Sequence, residues 1–462
     1  MRILSKNKNN SSPLKAGFWY TVSNFIVKGI VFITMPIFTR VMNSNDIGLF
    51  SNISSWFSIF AIITTFQLYS YISSNLFLGS IITIIWYIIF LIFKDFFVNL
   101  FNIDIVSLNV IFIYLLFYPA IEMYQAKNRI DFNYRSSVFL SIVSCVASTT
   151  FALLFVLISK NKFIGRVFGY YIPLIAISIF VYLYLMLRGK SISRKYWRFA
   201  LSVSFPLIWH LLAGTLLNSC DKIMITKIIG STANAKYSVA YTCSMVVSLL
   251  WSSMNSAWSP WAFDMMKDND ANSLKKNVKP YLIFFCGVAL MFMLFAPELL
   301  YVMGGINYLD AINVLPPVML GYVFQFVYSL YINIEYFNRK QQYIAFGTMF
   351  AALVNIILNM IFIPIFGYVA AAYTTLVGYI TLFVIHYLIV KHMNFAYLYD
   401  IKFFTKVLLL MSVSAVIINF LYDYILIRYF LIIIIGFAFV YILIKNKYQL
   451  SKFLKKKTKC DL

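Results

Sequence analysis

Runs of apolar residues, broken by short polar turns, recur along the whole chain. A membrane-crossing helix needs about 20 such residues, and on that measure the chain holds about 14 spans. The first six cover approximately 15–41, 47–73, 76–94, 104–126, 135–159 and 163–187. Six more follow at 202–229, 235–262, 279–303, 308–335, 341–364 and 367–390, and a last pair at 402–422 and 425–445. The pattern predicts an all-α polytopic membrane protein.

The turn that joins the first two spans, Thr39 to Ser51, returns as Thr226 to Ser238. A threonine, a basic residue, two aliphatics, a serine, a small residue, an aromatic and a final serine recur in order, at an offset of about 187 positions, as in duplicated transporter helix sets. Spans five and six match eleven and twelve at a larger offset of about 204, as if one copy had gained a loop between otherwise equivalent helices. The extra residues form the charged stretch Asp264 to Lys279, whose counterpart near Ser73, Ser74 and Asn75 is a minimal turn. The expected organisation is an N-terminal lobe of six helices (1–190), a C-terminal lobe of six (191–395), two further helices (396–445) and a basic cytosolic tail (446–462). The tail should meet anionic lipid headgroups.

Composition points the same way. The chain is 62% hydrophobic and 11% charged, against roughly 25% charged in soluble domains. Lipid must be its solvent. The net charge of +23 would suggest nucleic acid in a soluble protein, but here the cations sit in short loops between apolar runs. Alternating the 38 Lys and Arg residues between the two sides puts about 28 on one and about 8 on the other, which predicts both termini in the cytosol. Lys28 and Lys222 remain inside spans. The N-terminal fifteen residues are polar and basic, and no cleaved signal peptide is expected. Four of the five cysteines lie in apolar segments without metal-ligand spacing and read as packing residues. No metal site or cofactor is expected, and neither P-loop, dinucleotide-binding, HExxH nor nucleophile-elbow motifs occur. The chain does not read as an enzyme.

Polar residues inside the spans carry the candidate chemistry, because ionisable groups in hydrocarbon normally face a cavity or a partner. Lys28 lies near the middle of span one, with Asn24 and Thr21 on the same helical face. It is suited to meet a phosphate. Span seven places His210, Gly214, Asn218 and Asp221 on one face, and Lys222 about 100° away from it. Asp221 could bind a coupling cation, take a proton, or neutralise Lys28 or Lys222. Polar stripes run along span eight (Ser244, Ser248, Ser252, Asn255, Ser259) and span ten (Tyr322, Gln325, Ser329, Asn333). The substrate-binding set is therefore Lys28, Asn24, His210, Asn218, Asp221, Ser248, Asn255 and Gln325. Asn355 and Asn359 read as interhelical hydrogen bonds, and Glu335 with Arg339 as a local i, i+4 pair.

Phe18-Trp19-Tyr20 to Phe50, Ser204-Phe205-Pro206-Leu207 and Ser219 to Ile225 resemble the polysaccharide-export flippases of the Wzx type. So do Tyr237 to Tyr241, Asn255 to Pro260, Asn355 to Asn359 and Gly367 to Thr375. These belong to the multidrug/oligosaccharidyl-lipid/polysaccharide flippase superfamily. The resemblance implies a V-shaped bundle of two six-helix lobes in the bacterial cytoplasmic membrane. It implies transport of undecaprenyl-pyrophosphate-linked oligosaccharide to the outer leaflet by alternating access, for capsule, O-antigen or other surface glycan. Lys28 best matches the family's pyrophosphate-binding cavity cations. A coupling ion, H⁺ or Na⁺, would drive the cycle. A surface-glycan polymerase is a candidate partner, membrane lipids are certain ones, and the chain is expected to be a monomer. Two alternatives stay open: a cation-coupled multidrug antiporter of the same superfamily, and a lipid II flippase. The lipid II flippases carry several cavity arginines, which are not evident here.

Overall fold

A computed structural model of the chain describes residues 13–65, 72–188 and 194–437. Every regular element is helical. The helices are α1 (Pro13–Val41), α2 (Ser44–Thr65), α3 (Ile72–Ile92), α4 (Lys94–Phe101), α5 (Ile105–Ile130), α6 (Tyr134–Ile158), α7 (Lys162–Arg188) and α8 (Arg194–Ile228). They continue as α9 (Ser231–Lys267), α10 (Ala271–Leu294), α11 (Ala296–Gly304), α12 (Leu315–Phe337), α13 (Gln341–Phe366), α14 (Tyr368–His392), α15 (Ile401–Leu421) and α16 (Ile425–Phe437). A 3₁₀ stretch, Ile306–Val314, leads into α12.

Among the described residues, ten helices are long and apolar enough to cross a membrane, and the number is eleven if the bent pair α3–α4 is one broken span. The predicted spans seven and eight are α8 and α9. At 35 and 37 residues they exceed the membrane's need of about 20, but their polar side chains dilute the apolar character that marks the others. Described α16 is shorter than a full span. The rest of the fourteenth predicted span and the tail 446–462 lie outside the described residues. Ser73, Ser74 and Asn75, where a turn was expected, already belong to α3, and residues 66–71 before them lie outside the described set.

Three of the fifteen acids serve as helix starts. Asp104 accepts from the Ser107 backbone N–H at 2.9 Å, Asp270 from Ser273 at 2.9 Å and Asp400 from Phe403 at 3.2 Å. Each satisfies one of the orphan donors of a first turn.

The chain divides into two compact units, discontinuous in sequence. The first comprises Met1–Cys243, Leu300–Ala311 and Gln341–Gly378. Its core is aliphatic and aromatic, built on Ile53, Leu108, Ile111 and Leu115 with Phe90, Phe112 and Tyr171. A Cβ on Gly169 would lie 2.4 Å from the Phe151 carbonyl oxygen. That missing side chain lets α6 and α7 touch backbone to backbone, as small residues do between membrane helices. The turns that charge alternation assigns to one side are indeed laced together. Thr39 donates to the Met303 carbonyl at 2.7 Å, Lys162 to Val41 at 2.8 Å, Lys227 to Asn99 at 2.9 Å and Arg40 to Val302 at 3.3 Å. Lys236 pairs with Asp310 beside them.

The second unit comprises Ser244–Leu299, Ile312–Lys340 and Tyr379–Leu462. Tyr331 is its hub, ringed by Phe383, Tyr387, Tyr399 and Phe404. Arg428, nearly buried, donates through both terminal nitrogens to Glu298 and caps the Leu294 carbonyl at the end of α10.

Candidate functional site

The first unit contains a pocket of about 420 Å³ lined by Ser58 of α2 and by Leu211, Gly214, Thr215, Asn218 and Ser219 of α8. Every polar group on it is neutral. Asn218, from the predicted set, is exposed there and anchors its amide nitrogen on the Gly214 carbonyl at 2.8 Å. His210 stands one helical turn before Gly214 on α8, and its side chain lies outside the described residues. Thr215 and Ser219 were not singled out from the sequence, although their i, i+4 spacing beside Asn218 carries the signal.

Lys28 is half-buried on α1 and makes no ion pair with any acid among the described residues. Asn24, one turn away, is exposed. Ser51 and Ser238, equivalent in the internal repeat, stand 187 positions apart and share a hydrogen bond of 2.6 Å. In that register Lys28 corresponds to Thr215 and Asn24 to Leu211, both on the pocket wall. The repeat thus places a cation on α1 where α8 carries a neutral hydroxyl.

Asp221 is only 2% exposed and does not line the pocket. Its carboxylate accepts from the Tyr237 hydroxyl at 2.7 Å, from the Asn359 amide at 2.7 Å and from Thr375. Asn359 also donates to Asn355 at 3.2 Å and accepts from Thr374. The expected interhelical role of Asn355 and Asn359 is therefore met. Neither lysine forms an ion pair with Asp221: Lys222 turns its ammonium to the Tyr241 ring at 5.2 Å. The carboxylate is thus held by two hydroxyl donors and one amide N–H where α8, α9, α13 and α14 meet. A carboxylate buried among helices in this way can take up a proton.

In the second unit the stripes of spans eight and ten zip together. Ser259 donates to Asn333 at 3.0 Å, Asn333 to Asn255 at 3.4 Å and Trp251 to Ser329 at 3.3 Å. Ser248 is half-buried on the same helix as Asn255. Gln325 leaves its buried amide oxygen without a partner among the described residues. One expectation is corrected. Glu335 does not pair with Arg339, because α12 ends at Phe337 and Arg339 adopts a left-handed backbone (φ 57°) that takes it out of helical register. Glu335 instead meets His386 at 2.8 Å.

A family model described as "Polysaccharide biosynthesis protein" matches residues 14–266, more than half of the chain. The chain belongs to that family. The matched region runs from α1 through α9 and holds both copies of the repeat, Lys28, the pocket wall on α8 and Asp221. No curated protein matches the chain in sequence. Among solved structures, this polysaccharide biosynthesis protein is similar to a lipid II flippase, MurJ, in an inward closed conformation. The identity is 16%, over 94% of this chain and 100% of that one, with a TM-score of 0.67. It is similar to a multidrug resistance MATE family transporter of the MOP superfamily in an outward-facing conformation, at 13% identity, 84% and 97% coverage and a TM-score of 0.55. A MOP superfamily transporter from Pyrococcus furiosus gives 13%, 84%, 97% and 0.54. At such identities the likeness is one of fold: an all-α, multi-pass membrane architecture shared with MurJ and MATE proteins.

Proposed function

We propose that this protein translocates undecaprenyl-pyrophosphate-linked oligosaccharide repeat units from the cytosolic to the outer leaflet of a bacterial cytoplasmic membrane. The observation that carries the reading is Lys28, a membrane-embedded cation whose repeat equivalent lines a polar pocket and which no acid among the described residues neutralises. An uncompensated ammonium in hydrocarbon is costly unless an anion comes to it, and a pyrophosphate supplies that anion through charge-assisted contacts. Hydroxyl and amide groups such as Ser58, Thr215, Asn218 and Ser219 suit sugar hydroxyls, with the polyprenyl chain left in lipid. Membership of a polysaccharide biosynthesis family agrees with that substrate class.

Asp221 takes the coupling role. Its carboxylate would accept H⁺ or Na⁺ on one side of the cycle and release it on the other, between the two helix sets. Each charge moved through 100 mV supplies about 2.3 kcal/mol. A multidrug antiporter, the reading that the MATE-like fold would favour, would call for acids on the pocket wall, and the wall has none. The likeness to the lipid II flippase MurJ keeps a cell-wall precursor as the second reading, since lipid II too is a lipid-linked saccharide.

The test is depletion in cells that make a surface glycan, with wild type or Lys28→Ala as the complementing copy. Labelled lipid-linked repeat unit trapped on the inner leaflet, relieved by wild type but not by Lys28→Ala, is the expected result. Normal surface glycan without trapping would overturn the reading. Trapping that Lys28→Ala relieves fully would remove Lys28 from the site.

A further inference from the structure

Glu335 and His386 are both 0% exposed, and the Glu335 carboxylate meets the imidazole Nδ1 at 2.8 Å. They lie 51 positions apart, on α12 and α14 within the second unit. Their other polar atoms, Glu335 Oε2 and His386 Nε2, are buried without a partner among the described residues. The pair is therefore half-satisfied, which is expensive in a low-dielectric interior, and such groups inside a membrane bundle mark ion or proton pathways by default.

The surroundings bear on which ligand it takes. Tyr328 of α12 stacks on the imidazole at 5.9 Å and itself stacks on Tyr379 at 6.2 Å. Tyr336, one residue on from Glu335, feels its charge. From α10 and α15, Lys279 and Asp400 pair with each other at 3.3 Å, while Lys402 and Lys406 are exposed. Arg339 and Lys340 beyond the end of α12, and Lys391 and His392 at the end of α14, are exposed as well. Among the described residues, no cation other than the imidazole itself pairs with the carboxylate. With two ligating atoms and aromatic walls, the site is too poor in oxygen for a metal ion. It suits a proton.

We propose that Glu335 and His386 form a proton-carrying site, distinct from the Asp221 node, which is loaded in this conformation and unloads when water reaches Nε2 and Oε2. Loaded, the pair is net neutral, as imidazolium against carboxylate or as neutral imidazole against carboxylic acid. Unloading gives one proton to water and leaves a neutral imidazole hydrogen-bonded to a carboxylate, with net charge −1. That charge is tolerable only when hydrated, so proton release is tied to opening of the unit around the pair. The part this site plays in driving transport rests on the flippase reading; the proton binding itself does not.

The chain contains three histidines, so ¹⁵N-histidine labelling of the full-length protein in lipid nanodiscs gives a spectrum that His386→Asn assigns. The expected result is that the His386 ring nitrogens change protonation state between pH 5 and 9. Glu335→Gln, close to isosteric, should lower the imidazole's proton affinity at least tenfold, which is about one pH unit. A His386 signal that is constant over that range, or one that titrates identically in Glu335→Gln, would overturn the site. A second assay separates this from the flippase reading. Proteoliposomes with a pH step and undecaprenyl-pyrophosphate-linked oligosaccharide report lipid movement. If wild type moves no lipid, the flippase reading fails and the titration stands. If wild type moves lipid and Glu335→Gln keeps the full response to the pH step, the coupling role fails.

Discussion

Ser51 and Ser238 occupy the same position in two copies of one motif, and their hydroxyl oxygens are 2.6 Å apart. The two copies of the turn therefore pack against each other at this pair. Around it, Asn234 donates to the Gly48 carbonyl at 2.9 Å, and a Cβ on Gly48 would lie 1.7 Å from the Ser231 carbonyl oxygen. That contact is with backbone and cannot be relieved by a rotamer change. Gly48→Ala should therefore exceed the usual 1–3 kcal/mol of core overpacking, roughly, and abolish a folded monodisperse peak in detergent. Ser51→Ala should cost only about 1 kcal/mol in a thermal melt. Equal, mild effects of both would contradict the close approach.

At the Asp221 node, donors can be removed singly. Tyr237→Phe and Thr375→Val should each cost roughly 1–3 kcal/mol, because a buried carboxylate loses a hydrogen bond that water cannot replace. Combined, they should depart from additivity by roughly 0.5–3 kcal/mol, since both bond the same oxygen. Denaturant or thermal unfolding in one detergent reads the cycle. Sodium should raise the melting temperature of wild type and leave Asp221→Leu unmoved if the node binds that ion.

Filling the pocket tests its use without touching charge. Thr215→Trp or Ser58→Trp would occupy much of the roughly 420 Å³ on which both side chains open. Surface glycan should fall by at least tenfold while membrane abundance, read by immunoblot, stays near wild type. Full glycan output from both variants would exclude this pocket from the substrate path.

The Asp400 carboxyl, which starts α15, is held below the ordinary carboxylate range of 3.8, first by the Phe403 backbone N–H and then, against a small opposing effect of burial, by Lys279. A group with a depressed folded-state pKa stabilises the fold above its unfolded value and loses that contribution as pH falls through the folded value. Asp400→Asn keeps the capping geometry and loses the charge. Wild type should melt above it at pH 6–7, and the difference should shrink as the pH falls below 3.8.

Much of this architecture is legible in the residues because hydropathy is a local, one-dimensional property. The apolar runs locate the spans, and the Thr39–Ser51 repeat marks two surfaces that do meet. The partners of polar groups are long-range and leave no spacing signal. Glu335 and Arg339 have the separation of a helical ion pair, yet the helix ends between them and the true partner, His386, is 51 positions on. Asp221 shares a face with Asn218 on paper. The node that encloses it draws on Tyr237, Asn359 and Thr375, three residues on three other helices, and only the tertiary fold could place it inside rather than on the pocket wall.

Helix α4 leaves α3 at 93°, a right-angled break between two apolar stretches. Its Phe96 and Leu100 are exposed beside Lys94 and Asp95, a mixture of apolar and charged side chains on one short helix. Lys227 moors it, through the Asn99 carbonyl, to the end of α8 less than two turns from Asp221. Phe101 at the end of α4 is buried in the core of the first unit, and its carbonyl accepts from Asn52 at 2.9 Å, so a displacement of this short helix would be felt both by that core and, through Lys227, by the helix that carries Asp221.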